Sequence, residues 1–242
     1  MHSKAEKQLR VDLAACYRLI ALYGWDDLVF THISVELPDG DGFLINPYGM
    51  LFEEITASSL VKIDAEGNKL EDSQWPVNPA GFVIHSAVHA ARKDAVCVIH
   101  THTPAAVAVS AQKDGLLPIS QQATVALASL GYHDYEGIAV SDGEKPRLVR
   151  DMANNTTMIL RNHGLLAVGP TVADAFLWIY NLQRACEIQV LAQAGGTPLN
   201  VDPHILSGVK ANVATVTKGM SGSLAWPGLL RKLDRHNPGY AD

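Results

Sequence analysis

The sequence has few cysteines, no excess of basic residues and no long apolar run, and each shortage narrows the class of protein. Three cysteines, Cys16, Cys97 and Cys186, are widely spaced and odd in number among 242 residues. This pattern disfavours a disulfide-stapled secreted fold and favours reduced core thiols and a cytoplasmic address. The 19 basic residues face 25 acidic ones, a formal net charge of −6, so neither a nucleic acid nor an anionic membrane is expected as a partner.

The sequence also shows no recognisable targeting segment, membrane span or linker. Residues 1–25 lack the basic, apolar and small-residue order of a signal peptide, and no apolar stretch approaches the length that spans a bilayer. No repeat or Pro/Gly/Ser-rich linker divides the chain. A single domain over 1–242 is therefore predicted, because a chain of this length can bury a sizeable core.

Hydrophobic spacing predicts strands and helices that mix without a regular βαβ repeat. Helices are predicted at 4–23, 80–91, 144–154 and 171–194, with a further one after the Thr103-Pro104 cap. Strands are predicted at 28–36, 59–64, 95–101, 137–140 and 157–161. This mixture favours a three-layer α/β/α sandwich over a barrel or a doubly wound sheet.

Two histidines stand at the end of one predicted strand. Residues 95–109, AVCVIHTHTPAAVAV, carry His100 and His102 behind an apolar β-branched run. Residues two apart in a strand point to the same face, so the two imidazoles can act as ligands of one metal ion. Taken alone, the pair is a weak signal for a metal site, and two polar surface residues are the favoured alternative.

A third histidine strengthens the metal hypothesis. Residues 158–169, MILRNHGLLAVG, end another apolar strand with His163. Three histidines that leave one coordination position open are typical of catalytic divalent-metal sites, whereas closed structural sites use four protein ligands. His85 and His89 share one helix face and are expected in the core or as outer partners of a ligand rather than as ligands themselves.

Longer motifs connect these histidines to a known family. The chain contains, in order, INPYGMLFEEITASSLVKID, NPAGFVIHSAVHAAR, IHTHTPAAVAVSA and LRNHGLLAVG, and over residues 5–195 it resembles the class II aldolase/adducin family, in its adducin-like branch. The resemblance implies a three-layer α/β/α sandwich around a mixed, mostly antiparallel sheet. It also implies a homotetramer with active sites between subunits, and a divalent metal ion held by His100, His102 and His163. That ion is typically zinc, although imidazoles also accept manganese, iron or cobalt.

Three parts of the sugar-phosphate aldolase site are different in this sequence. The resemblance puts Gly81 where those enzymes carry an acid/base glutamate, and Pro79 and Ala80 where they carry two serines that grip phosphate. Thr31-His32 replaces a Gly-Asn phosphate loop, and Gly49 is what remains of the phosphate pocket. Because a phosphate needs several N–H and hydroxyl donors, a sugar phosphate is not the expected substrate.

Other polar residues are candidates for the missing functions. Proton transfer near neutral pH is expected from His85 or from the cluster YHDYEG, through His133, Tyr135 and Glu136; the alternative for the cluster is a surface turn. Substrate contacts are expected from His32, Gly49, Gln122 and Arg161. For Arg161 the alternative is a structural ion pair. Trp226 and Tyr240, in a tail over about 196–242, are candidates for covering a neighbouring subunit's site.

Three functions are compatible with these patterns. The first is a divalent-metal-dependent carbon–carbon lyase, of decarboxylase or aldolase type, acting on a small hydroxy, keto or hydroxyaromatic acid, because a metal ion can act as Lewis acid without the glutamate. The second is a non-catalytic adducin-like binding or scaffold domain, although no lysine-rich adducin tail occurs before Asp242. The third is an iron-dependent oxidoreductase on the same histidines.

Overall fold

The computed structural model describes residues 2–38, 40, 42–137 and 142–242. Its strands are β1 (His32–Glu36), β2 (Phe43–Ile45), β3 (Val61–Ile63), β4 (Cys97–Thr101), β5 (Leu130–His133), β6 (Thr157–Leu160) and β7 (Gly164–Gly169). Its helices are α1 (Lys4–Leu22), α2 (Pro79–Ala91), α3 (Pro104–Ser110), α4 (Gln121–Leu127), α5 (Lys145–Met152), α6 (Val172–Ala194), α7 (Pro203–Leu206), α8 (Val209–Val216) and α9 (Trp226–His236).

The described strands form one sheet with helices on both faces. The strand order is β3-β2-β1-β4-β7-β6-β5. Neighbours run antiparallel except β5 and β6, which are parallel. Helices α2 and α5 pack on one face, and α1, α3, α4 and α6 pack on the other. The expected three-layer α/β/α sandwich with a mixed, mostly antiparallel sheet is therefore confirmed.

Strand β4 lies near the middle of this sheet and is buried on both faces. Cys97 and Ile99 belong to the core under α6, whereas Val98 belongs to the core under α2 and α5. By the same alternation His100 lies on the α2 side. Burial on both faces explains why this segment is a continuous apolar run rather than an alternating one.

Most predicted elements are present, with differences at the ends. The strand predicted at 28–36 begins only at His32, because a β-turn from Asp27 to Phe30 precedes it and Leu28 adopts a φ of +50°. The strand predicted at 137–140 lies outside the described residues except for residue 137. The Thr103 cap is confirmed, since its side chain accepts a hydrogen bond from Ala106 N.

A tight turn joins β6 to β7 and carries His163. The His163 N–H donates to Leu160 O at 3.1 Å, and Asn162 adopts a φ of +56°, which Asn tolerates better than most residues. Gly164 lies directly against β4, where a β-carbon would be 2.3 Å from Thr101 O. The Asn-His-Gly sequence therefore specifies a reversal of the chain and a close approach of β7 to β4.

The C-terminal aromatic residues pack on their own chain. Trp226 is 8% exposed and donates from Nε1 to Asp12 Oδ1 at 3.0 Å. Tyr240 is equally buried, and its hydroxyl donates to Asp234 Oδ1 at 2.9 Å. That residues 196–242 also pack on a neighbouring subunit stays a prediction, as does the single domain over 1–242.

Two expectations from composition can be compared with the fold. Cys16, Cys97 and Cys186 are all buried free thiols, as expected. Among the helices of the described ranges, none is both long and apolar enough to cross a membrane.

We expect Gly164→Ala to lower the free energy of unfolding by about 1–3 kcal/mol, because its methyl group would meet the backbone of β4. Gly195→Ala is the matched control, since Gly195 has a φ of −88° and its β-carbon would lie 3.5 Å from Ala192 O. Urea unfolding of both variants measures the difference. Equal stability of Gly164→Ala and wild type would show that β7 can move away from β4 without loss.

Candidate metal centre

Three imidazole nitrogens meet at one end of the sheet. His102 Nε2 lies 2.6 Å from His100 Nε2 and 2.9 Å from His163 Nε2. His100 comes from β4, His102 follows that strand by one residue, and His163 comes from the turn between β6 and β7. Because β4 and β7 are hydrogen-bonded neighbours, residues 61 positions apart in the sequence share one point in space.

The hydrogen bonds of the other ring nitrogens fix which tautomers are present. His100 Nδ1 lies 2.8 Å from Leu165 O, and His102 Nδ1 lies 3.2 Å from Asp27 Oδ2. Both oxygens can only accept, so each Nδ1 carries the proton and each neutral ring has a lone pair on Nε2. The 2.6 Å contact between His100 and His102 therefore has no hydrogen to share, and two lone pairs face each other across it.

The triad is held in its neutral form by its surroundings. Burial lowers the pKa of His100 well below its ordinary value of 6.5, and His102 and His163 lower it further. Burial also lowers the pKa of His163, to about 4, with a contribution from His102. Burial lowers the pKa of His102 too, against the opposing effect of Asp27. Neutral imidazoles with converging lone pairs are the form that binds a metal, so the donor set fits a divalent cation.

A second group of histidines lies behind the triad, between the sheet and α2. The ring centroid of His32 is 5.3 Å from that of His100 and 4.3 Å from that of His85. Ser34 Oγ lies 2.7 Å from both His85 Nδ1 and His89 Nε2. His32 is thus the member of this group nearest the triad, and the sequence expectation that His85 and His89 are core residues agrees with their burial.

Two further candidates lie at the same end of the sheet. The Tyr135 ring centroid is 6.3 Å from that of His163, and Tyr135 is 54% exposed. Gly49, with a φ of +113°, lies in the turn after β2. Since Ile45 of β2 pairs with Ser34 of β1, the antiparallel register directs this turn toward the end of β1 where His32 begins.

His133 and Glu136 are engaged on the side of α5. His133 Nδ1 lies 2.8 Å from Asp151 Oδ2 and His133 Nε2 lies 3.2 Å from Glu144 Oε1, so both ring nitrogens have a carboxylate partner. Glu136 is paired with Arg147, and this hydrogen bond lowers the pKa of Glu136. His133 and Glu136 of the YHDYEG cluster therefore contact residues of α5, whereas the Tyr135 ring lies near His163.

Arg161 and Gln122 have surroundings of their own. The Arg161 guanidinium donates to Gln112 O at 2.8 Å and lies 4.3 Å above the Tyr132 ring. Arg161 and His163 do not share a strand, because β6 ends at Leu160 and both residues belong to the following turn. Gln122 is the second residue of α4 and is half-buried. Roles for both in substrate binding stay predictions.

Another histidine–carboxylate group lies near the N-terminus but is electrostatically unsuited to a cation. His2, Glu6 and Glu71 have ligand atoms within 4.8 Å of one another. Arg10 lies 2.8 Å from a carboxylate oxygen of both glutamates, and Lys62 lies 3.5 Å from Glu6. Two resident cations already balance these carboxylates, whereas no charged Lys or Arg is paired with the triad in the described structure.

Two important neighbours of the histidines could not be inferred from the sequence patterns. Asp27 contacts His102 across 75 positions, and its segment is part of no recognisable ligand spacing. Ser34 joins His85 to His89, and only the position of its side chain on the same face of β1 as His32 could have pointed to it.

Comparison with known proteins places the chain among aldolases and adducins. Residues 11–190 match the family model described as class II aldolase and adducin N-terminal domain. A Pseudomonas aeruginosa protein whose name assigns it provisionally to the class 2 aldolases is 59% identical over 242 residues, covering 98% of this chain and 93% of the relative. Mouse alpha-adducin is 50% identical over 201 residues, which cover 81% of this chain but 27% of that protein.

Solved structures agree with the sequence comparisons. The crystal structure of an aldolase II superfamily protein from Pseudomonas syringae matches with a TM-score of 0.95 and 44% identity, covering 100% of this chain and 98% of the other. The fold described above is therefore shared over the full length of the chain.

The buried His89 makes stability dependent on pH. Burial lowers the pKa of His89 from 6.5 to about 4, although its bond to Ala95 O opposes the shift. The folded pKa is below the unfolded one, so the contribution to stability is complete above about pH 6.5 and is lost as pH falls toward 4. We expect His89 to account for a loss of about 2 kcal/mol between pH 7 and pH 5.

Urea unfolding at pH 7, 6 and 5 measures this loss, and His89→Gln should show a shallower pH dependence than wild type. His236→Gln, at an exposed histidine, should keep the wild-type dependence. Parallel curves for wild type and His89→Gln would assign the acid sensitivity to other groups.

Proposed function

Because the chain belongs to the class II aldolase and adducin family, we propose that it is a divalent-metal-dependent lyase that cleaves a carbon–carbon bond in a small hydroxy or keto acid. The proposal rests on the 2.6 Å contact between His100 Nε2 and His102 Nε2, in which neither nitrogen has a hydrogen to donate. Such a contact is repulsive unless a cation lies between the lone pairs, and His163 supplies a third donor to the same point.

The metal ion would be held by His100, His102 and His163, with a position left open for substrate. Zinc is the ion that three neutral imidazoles most commonly hold in catalytic sites, and manganese, iron or cobalt can take its place. A bound ion would supply Lewis-acid polarisation of substrate oxygens.

We propose that His32 and Tyr135 act on the substrate, since the His32 ring lies near His100 and the Tyr135 ring lies near His163. His32 lies against His100, on the α2 side, and would contact a polar group of the acid. Tyr135 lies beside His163 with more than half of its surface exposed. Its hydroxyl can therefore donate a proton to the carbon atom that keeps the electron pair when the carbon–carbon bond breaks. His85, buried behind His32, would hold that ring in place through packing.

The acid substrate is proposed partly from the sequence. The resemblance to the family puts Gly81, Pro79 and Ala80 where a sugar-phosphate aldolase has its glutamate and its two phosphate-gripping serines. The His32 imidazole and the Tyr135 phenol can each make a hydrogen bond to a carboxylate or a hydroxyl, whereas a phosphate needs several donors. Loss of carbon dioxide needs an electron sink, which a metal ion held by the triad would supply, and one proton, which Tyr135 would deliver.

The assembly that we propose is a homotetramer in the cytoplasm, with small-molecule acids as its ligands. Exposed apolar side chains support self-association, and they include Leu191, Leu199, Val216 and Leu224. The three buried thiols suit a reducing compartment. The molar mass in solution tests the tetramer.

A second candidate function is that of an adducin-like binding domain without catalysis. The observation in its favour is the 50% identity to mouse alpha-adducin over 201 residues. Against it stands the intact histidine triad, since a scaffold has no need of three converging lone pairs. The two functions are distinguished by metal content and turnover.

We expect wild-type protein, purified without added metal or chelator, to contain about one zinc, manganese, iron or cobalt ion per chain. His102→Ala and His163→Ala should each lose that ion, because two imidazoles bind a divalent cation far less tightly than three. His236→Ala, at an exposed histidine away from the triad, is the control. Elemental analysis gives the answer, and wild type that stays metal-free even after addition of these ions would contradict the lyase proposal.

With the metal-loaded enzyme, we expect release of carbon dioxide or an aldehyde from at least one member of a panel of hydroxy, keto and hydroxyaromatic acids. Tyr135→Phe should lower kcat by about 10²-fold or more, because it removes the proton donor, while metal content stays at the wild-type value. A bound metal without turnover of any acid would favour the adducin-like function, and strict oxygen dependence would indicate an oxidoreductase.

A further inference from the structure

The Asp27 carboxylate lies beside His102, a triad histidine that lies outside the strands of the sheet. His100 is part of β4, and its Nδ1 bond goes to the backbone oxygen of Leu165 in the adjacent β7. His102 lies beyond the last residue of β4, so the strand ladder does not fix its backbone. Its Nδ1 instead faces Asp27 Oδ2 at 3.2 Å.

A carboxylate in this position determines how His102 presents its other nitrogen. The carboxylate accepts the Nδ1 proton, so the lone pair of His102 is kept on Nε2 and aimed at His100 and His163. The negative charge also makes Nε2 a stronger donor to a cation. The His102 side chain is 19% exposed and that of Asp27 is 45% exposed, so the contact lies at the rim of the site, where water competes for His102.

Asp27 also begins a β-turn, and this local role has to be separated from its contact with His102. The Phe30 N–H donates to Asp27 O at 2.9 Å and closes the turn. The following residue, Leu28, adopts a φ of +50°, a conformation that bulky side chains disfavour. The turn is therefore maintained by contacts elsewhere, and not by local preference.

Those contacts come from α6, which holds both the Asp27 loop and the segment after His102. Trp25 is 3% exposed, and its Nε1 donates to Glu187 Oε1 at 3.2 Å. Gln183 Nε2 donates to the same oxygen at 2.9 Å, and Gln183 Oε1 accepts from Thr103 Oγ1 at 2.8 Å. Trp25 lies two residues before Asp27, and Thr103 follows His102. Glu187 and Gln183 of α6 therefore hold the Asp27 loop and the segment after His102 in a fixed relative position.

From this geometry we propose that Asp27 is a positioning residue of the metal site, which fixes the tautomer and direction of His102 through its carboxylate. The proposal rests on the proposed function, since it concerns the affinity of the triad for a divalent cation. Asp27 itself does not contact the cation or the substrate in this arrangement.

The test is the dissociation constant for Zn²⁺, measured on metal-free full-length protein by competition with a chromogenic chelator. We expect Asp27→Ala to weaken binding about 10–100-fold, the range seen when an outer partner of a ligating histidine is removed. Asp27→Asn should lose less, because its amide oxygen still accepts the Nδ1 proton. Asp26→Ala removes the same charge one position away and should stay within about threefold of wild type, since screening weakens exposed charges.

The same variants loaded with Co²⁺ give a second readout, because its visible absorption reports the geometry of the ligands. Asp27→Ala should change that spectrum and Asp26→Ala should leave it unaltered, while the melting temperature of both metal-free variants should equal that of wild type. Wild type that binds no Zn²⁺ would overturn the proposed function and this inference together. Wild type that binds, with Asp27→Ala equally tight or Asp26→Ala equally weakened, would overturn the positioning role alone.

Discussion

The pairing of β4 with β1 on one side and β7 on the other is the constraint on which the rest of the structure depends. It places His32 opposite His100 and brings the turn that carries His163 against the end of β4. A shift of one residue in either ladder would move His100 to the α6 side of the sheet. Gly164 allows β7 to lie close to β4, because it puts no β-carbon between the two backbones. Backbone hydrogen bonds thus bring the segments that carry the imidazoles together.

The sequence allowed the prediction of the sandwich and of the histidine triad, because both depend on patterns that are local. An apolar run ending in histidine marks each ligand-bearing strand end, and Thr103 with Pro104 marks the start of a helix. Asp27 could not be predicted, because its partner is 75 positions away and only the packing of α6 unites them. The same reason applies to His133, whose position in the YHDYEG motif does not reveal the two carboxylates that engage it. The predicted strand at 28–36 was too long for a similar reason: apolar residues continue into a turn that α6 holds.

A cluster of six histidines at one sheet end is electrostatically unusual, and its burial explains how it is tolerated. Burial disfavours the protonated ring, so the imidazoles act as neutral polar groups rather than as repelling cations. Hydrogen bonds to Ser34, Ala95 O and Leu165 O then satisfy much of their polarity. The fold that carries the triad is shared with relatives in the class II aldolase and adducin family. In a shared fold, function depends on the residues around the site.

The placement of His163 in the hairpin between β6 and β7 also determines when the site can exist during synthesis of the chain. His100 and His102 emerge together at the end of β4, the third histidine follows 61 residues after His102, and the helix that holds the Asp27 loop comes later still. A nascent chain that has folded only its first half therefore offers two histidines and an unsupported loop. A metal ion bound by the triad would therefore be captured late in folding, when the sheet closes, and would not initiate folding. The ion would then bind mainly to the completed fold. Incomplete chains would bind it weakly, because they lack the third histidine and the helix that holds the Asp27 loop.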